Sequence, residues 1–146
     1  MPTMYELFQT DKDLEKQGVV VDYGTFRVTL SRAGGFNKRY NPVLNAKARP
    51  FKRAIDSDSL DPDVGDRLVH ETFIDSVIKN WEVKDEEGNW HVGIESSEEG
   101  GSLLPFNREN LLLTFTNLPD LFLDIQEQAS KATIYRSHLV DTDSGN

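Results

Sequence analysis

The sequence contains no cysteine. A disulfide framework, a thiolate metal site and a cysteine nucleophile are therefore excluded. Long apolar runs are missing too. No stretch approaches the roughly 18 apolar residues that a membrane-spanning helix needs. The opening MPTMYELFQTDKD has neither a basic start nor an apolar centre, so it does not read as a secretory signal. These absences predict a soluble protein with no membrane partner.

Histidine is scarce and scattered, at His70, His91 and His138. After His70-Glu71 come Thr72-Phe73-Ile74, so the zinc helix motif lacks its second histidine. His70 reads as a surface residue of a helix. The acidic run Asp56 to Asp63 resembles a calcium loop only superficially. Asp61 and Arg67 stand where an EF-hand needs its Gly and its Glu. The SRAGG stretch lacks the Lys-Ser or Lys-Thr of a phosphate loop, and no GxSxG occurs. The sequence thus offers no catalytic residue, no metal ligand and no cofactor site. An enzyme is not expected.

What is present suits one domain. The chain has 146 residues, 37% hydrophobic and 28% charged. A chain of this size hides roughly 68–70% of its unfolded surface. The net charge of −9 conceals a segregation. Between Tyr23 and Ile55 stand eight basic residues and no acidic one: Arg27, Arg32, Lys38, Arg39, Lys47, Arg49, Lys52 and Arg53. The rest of the chain must then carry −17 to reach the total of −9. Such asymmetry fits either a polyanion-binding face or basic elements packed on acidic ones of the same fold.

Periodicity gives the parts. Residues 1–17 are polar and read as a flexible N-terminal arm or a short docking helix. Val19 to Val21 and the alternation Phe26-Val28-Leu30, about the turn Asp22 to Thr25, predict a β-hairpin. Its apolar face needs helices to rest on, because a two-stranded hairpin alone is marginal. Asn37 is a candidate cap for a helix from Lys38. Pro42 and Pro50 predict that this helix is kinked or split. Tyr40, Val43, Leu44, Phe51 and Ile55 would face the core. Asp61-Pro62 starts a longer helix to about Asn80, with Val64, Leu68, Phe73, Ile74, Val77 and Ile78 as its apolar stripe. Trp81 follows as a core anchor.

A second small hairpin is expected over Val83 to Ile94, turning at Asp85 to Asn89. An exposed, mobile loop follows around 95–102. Asn107 caps a helix from Arg108 to Asn117, and Pro119 starts another to about Ser137. The expected class is α+β, mainly α-helical: an N-terminal hairpin, four to five helices and a small hairpin in the middle. One globular domain spans 18–137, and 138–146 is expected to be a disordered tail. The predicted core includes Phe73, Ile78, Trp81, Leu112, Phe115, Phe122 and Ile125.

The order of these parts carries a resemblance. Trp81-Glu82-Val83, Asp85-Glu86-Glu87-Gly88, Leu104-Pro105-Phe106-Asn107-Arg108-Glu109-Asn110, Leu118-Pro119-Asp120-Leu121, and Ile125 with Ala129 follow one another. This order resembles the tail assembly chaperones of long-tailed bacteriophages. The upstream GVVVDYGTFRVTLSRAGGFNKRY resembles that family's opening hairpin and first helix. The likeness covers about 18–137, with Trp90 to Gly101 standing as an insertion.

The resemblance implies a protein that binds the tape measure protein and keeps it soluble in the cytoplasm of the infected host. It implies help for tail tube assembly around that client, with the tail tube protein as an optional second partner, and absence from the virion. The candidate partner-binding residues are Leu111, Leu112, Phe115, Leu121, Phe122, Ile125 and Ile134. Weak self-association is expected, and binding to nucleic acid is not. Two rival readings are a small nucleic-acid-binding protein using the basic 27–53 segment, and a structural tail or head–tail joining subunit.

Overall fold

The computed structural model describes residues 1–97 and 102–136. Most of the loop expected around 95–102, and the tail expected over 138–146, lie outside the described residues.

Strands β1 (Val19–Asp22) and β2 (Phe26–Leu30) form the expected N-terminal hairpin. Strands β3 (Ile78–Lys84) and β4 (Trp90–Val92) form the middle one. The two hairpins are not separate. β2 pairs antiparallel with β3, so one four-stranded sheet runs in the order β1-β2-β3-β4. Period-two alternation splits that sheet into two faces. Phe26, Val28 and Leu30 face the helices, opposite Val83, Trp81 and Ile78. On the outer face Arg27 pairs with Glu82 at 3.0 Å and lies 4.1 Å over the Trp90 ring.

The helix expected to reach Asn80 stops early. Its helical part, α5, spans Pro62–Ser76, and the chain then turns extended into β3. Trp81 lies within that strand and is buried, as a core anchor should be. The start is as the sequence signals: Asp61 caps by accepting from the Asp63 N–H at 2.8 Å, and Pro62 needs no partner.

Helices α1 (Met4–Phe8) and α2 (Lys12–Gln17) occupy the N-terminal segment read above as an arm. α1 buries nothing, whereas α2 is fastened by a carboxylate. Glu15 is fully buried. It accepts from Thr10 Oγ1 at 2.5 Å, Arg32 Nη1 at 2.7 Å and the Phe36 N–H at 3.2 Å. Gly35 makes room, since a Cβ there would sit 2.2 Å from Glu15 Oε1 at a φ of +54°. The far end of the described chain closes on the same region. The Asp11 N–H donates to the Tyr135 carbonyl at 2.7 Å, and the buried Tyr135 hydroxyl donates to the Leu30 carbonyl at 3.1 Å.

The basic stretch is split as its prolines require. It forms α3 (Tyr40–Ala48), a 3-10 turn (Arg49–Phe51) and α4 (Lys52–Asp56). Asn37 does not cap it. The Asn37 amide is buried and donates to the Arg32 and Ser76 carbonyls, both at 2.9 Å, so it ties the loop to the end of α5. Phe51 and Ile55 are exposed rather than in the core, because only α3 lies along α5 and α4 runs past it.

Helices α6 (Arg108–Asn117) and α7 (Pro119–Ser130) close the other side. Asn107 caps α6 by accepting from the Asn110 N–H at 2.9 Å. α7 ends at Ser130 and gives way to a 3-10 turn over Ala132–Tyr135. The core between sheet and helices is a relay of rings. Phe26 stacks on Trp81 at 5.7 Å, Trp81 meets Phe115 at 6.1 Å, and Phe115 meets Phe122 at 4.9 Å. Phe122 meets Phe73 at 5.2 Å, and Phe73 meets Tyr40 of α3 at 5.8 Å. Offset and edge-on geometries of this kind add to the area that the rings bury.

Candidate functional site

A cleft of about 960 Å³ opens where α5, α6 and α7 converge. Its floor is Phe115, Phe122 and the ring of His70. Val64 and Val69 line the α5 wall, Leu112 and Thr116 the α6 wall, and Pro119, Leu123 and Gln126 the α7 wall. Asp63, Asp66 and Arg67 stand along the α5 rim.

Local sequence explains the opening. In α7 the consecutive residues Leu121, Phe122 and Leu123 cannot all face one side of a helix. Phe122 enters the core and Leu123 is left 60% exposed. In α6, Leu111 and Phe115 are one turn apart and buried, Leu112 lies half-buried at the cleft edge, and Leu113 is exposed. The expected burial of Leu112 is thus taken by its neighbour Leu111, which shares a face with Phe115.

His70 is half-buried, not a free surface side chain. Its ring is 4.3 Å from Phe122 and 5.6 Å from Phe115. Burial pushes its pKa below the ordinary value, and Asp66 one turn away opposes that shift. At neutral pH it therefore extends the apolar floor. His91 bonds to Asp85 at 2.7 Å on the far hairpin. His138 lies outside the described residues.

An ion network fixes the wall between α5 and α6. Arg108 pairs with Asp75 and, at 3.0 Å, with Glu71. Lys47 of α3 reaches Asp75 at 2.7 Å. Burial alone would raise the Asp75 carboxyl, but hydrogen bonds from Arg108 and Lys47 outweigh it and hold the carboxyl below its ordinary value. Arg67 is held by Glu71 at 3.5 Å. Among the described residues, Asp63 and Asp66 carry no ion pair, so the rim is acidic.

The seven residues picked as partner-binding separate on this structure. Leu111, Phe115, Phe122 and Ile125 are buried in the core. Phe115 and Phe122 also floor the cleft, while Leu112 lies on its wall. Leu121 packs half-buried against the core, and Ile134 is half-buried in the last 3-10 turn, away from the cleft lining. Sequence reasoning missed Leu123 and Val69, and placed Val64 in the core stripe rather than on the cleft wall. The run of three large residues after Pro119 was the available signal for Leu123.

The basic segment is largely matched inside the fold. Arg27 pairs with Glu82, Arg32 with Glu15, Lys47 with Asp75 and Lys52 with Asp56. Arg39 Nε donates to the Asp75 carbonyl at 3.2 Å. The cleft between α5, α6 and α7, an apolar floor with an acidic rim, can hold an apolar segment. Among the described residues no group of three or more His, Asp or Glu could hold a metal ion. No helix among them is long and apolar enough to cross a membrane.

An α+β domain of this kind, with a ring-floored cleft between three helices, has its family shown by sequence. The family model of the YdaY prophage protein matches residues 36–146, and the chain belongs to that family. It is a phage or prophage protein. No curated protein and no solved structure matches.

Proposed function

We propose that this protein is a tail assembly chaperone whose cleft between α5, α6 and α7 takes an apolar helix of the tape measure protein. The observation that carries this reading is the cleft itself: Phe115, Phe122 and His70 below, Leu112 and Leu123 at the edges, Asp63 and Asp66 on the rim. Helix-in-groove docking uses such a surface, with apolar anchors at one-turn spacing. The acidic rim favours client helices that carry Lys or Arg beside their apolar stripe and speeds their capture. Membership of a prophage family and the order of motifs from Trp81 to Ala129 support the same reading. The role is binding rather than catalysis. It is exercised in the cytoplasm of the infected bacterium, with the tail tube protein as a second client, and the chaperone is absent from the finished virion.

Co-expression with the tape measure protein of the same prophage tests this. The tape measure protein should be soluble with this chain, insoluble without it, and co-elute with it on size exclusion. Leu112→Lys with Leu123→Lys should abolish that effect while the chain still melts in one cooperative transition. Equal insolubility in both cases, with no complex, sinks the proposal.

A further inference from the structure

A second apolar surface on this chain has the opposite charge. The 3-10 turn Arg49–Phe51 and α4 contain no buried residue. Phe51 is 36% and Ile55 43% exposed. Beside them, Arg49 and Arg53 make no ion pair among the described residues, while Lys52 is neutralised by Asp56 at 2.6 Å. This protruding segment is thus two uncompensated guanidinium groups flanking two apolar side chains. The cleft is its complement: Asp63 and Asp66, which make no ion pair among the described residues, line it with Leu112 and Leu123, while Arg67 on the same rim is held by Glu71 at 3.5 Å.

We propose that the Arg49–Asp56 segment of one copy seats in the α5–α6–α7 cleft of a second copy. Complementary charge steers the encounter and sets the register, and the apolar side chains lose their water. α4 ends at Asp56 and α5 begins at Pro62, so only a short loop links the donor segment to the helix that carries the acidic rim of the cleft. A two-fold exchange then makes both contacts at once and closes as a dimer. One turn and one short helix per copy bury less than the roughly 800 Å² per partner of a standard stable interface. The dimer is therefore weak, concentration-dependent and sensitive to salt. It also covers the cleft when no client is present.

Sedimentation velocity of the full chain alone tests this. The wild type should shift from monomer to dimer with concentration, and high salt should weaken the shift at least severalfold. Reversing either surface, by Arg49→Glu with Arg53→Glu or by Asp63→Lys with Asp66→Lys, should leave each variant monomeric where the wild type dimerises. An equimolar mixture of the two variants should dimerise again, because each reversed surface now meets its complement. That rescue also shows that neither variant has simply misfolded. A wild type that stays monomeric at low salt, variants that associate as the wild type does, or a mixture that stays monomeric would each overturn the proposal. No client enters the experiment, so its result is separate from that of the chaperone reading.

Discussion

Ile78 and Trp81 stand three residues apart in one strand, yet both side chains enter the core. A regular strand would place them on opposite faces. The register explains it: Thr29 faces Asn80, and Leu30 faces Ile78. Lys79 is the extra residue of a β-bulge, exposed between buried Ile78 and half-buried Asn80.

The bulge makes a sharp prediction. Lys79→Ala should change stability by less than about 0.5 kcal/mol, because the side chain is exposed. Deleting Lys79 should cost far less than losing Trp81, because Ile78 and Trp81 would then stand two apart and regular alternation puts both on the core face. Trp81→Ala sets the scale at roughly 3–5 kcal/mol. Urea melts of the three variants check this order.

Glu15 and Asp75 should both contribute to the acid limb of stability. Burial alone would raise the Glu15 carboxyl, but the bonds from Thr10, Arg32 and the Phe36 N–H prevail and hold it below the ordinary 4.5. A depressed folded-state pKa gives stability that is full above the unfolded value and lost as pH falls through the folded one. Melting temperature should therefore drop below about pH 4.5. Glu15→Gln should cost roughly 1.5–3 kcal/mol at pH 7, since it weakens charge-assisted hydrogen bonds from Arg32, Thr10 and the Phe36 N–H, and should flatten the acid limb. An unchanged limb in the variant would remove Glu15 from this role.

His70 governs a milder window. Its pKa is lowered by burial against Phe115 and Phe122, with Asp66 opposing. The unfolded chain therefore takes up the proton first, and stability falls as pH drops below the ordinary 6.5. His70→Phe should remove that slope between pH 7 and 5. Proton titration of the imidazole by NMR should find it below the free value. A value above it would reverse the argument.

The ion pair between Arg108 and Asp75 joins two walls of the cleft. Both side chains are partly exposed, so a double-mutant cycle with Arg108→Ala and Asp75→Ala should show coupling of only about 1 kcal/mol. Binding of the proposed client should suffer more than stability, because the angle between α5 and α6 shapes the cleft.

Local chemistry made several elements readable from sequence. The Asp61-Pro62 start of α5, the Asn107 cap of α6, Pro119 and the two hairpin turns all lie where their residues demand. What failed was non-local. Phe73, Ile74, Val77, Ile78 and Trp81 repeat at helical spacing, which predicts a helix continuing to Asn80. The bulge at Lys79 produces that same spacing within a strand. The joining of two hairpins through β2 and β3 depends on register across the intervening helices, which no local window contains. Glu15 sits in a polar stretch that gives no hint of burial, because its partners Arg32 and Phe36 come from beyond the first strands. The cleft was visible only in part: Phe115 and Phe122 announce an apolar face, but whether a given leucine is core or wall depends on how α5 crosses α6 and α7.

The closure of Asp11 and Leu30 onto Tyr135 has a consequence for synthesis. At roughly 5–20 residues per second, the ribosome makes Tyr135 on the order of ten seconds after Asp11. Throughout that interval α2 and the first hairpin lack the group that caps them. This early-made part of the chain is therefore sealed late, and whatever guards a nascent chain must cover Val28 and Leu30 until the turn at Tyr135 emerges.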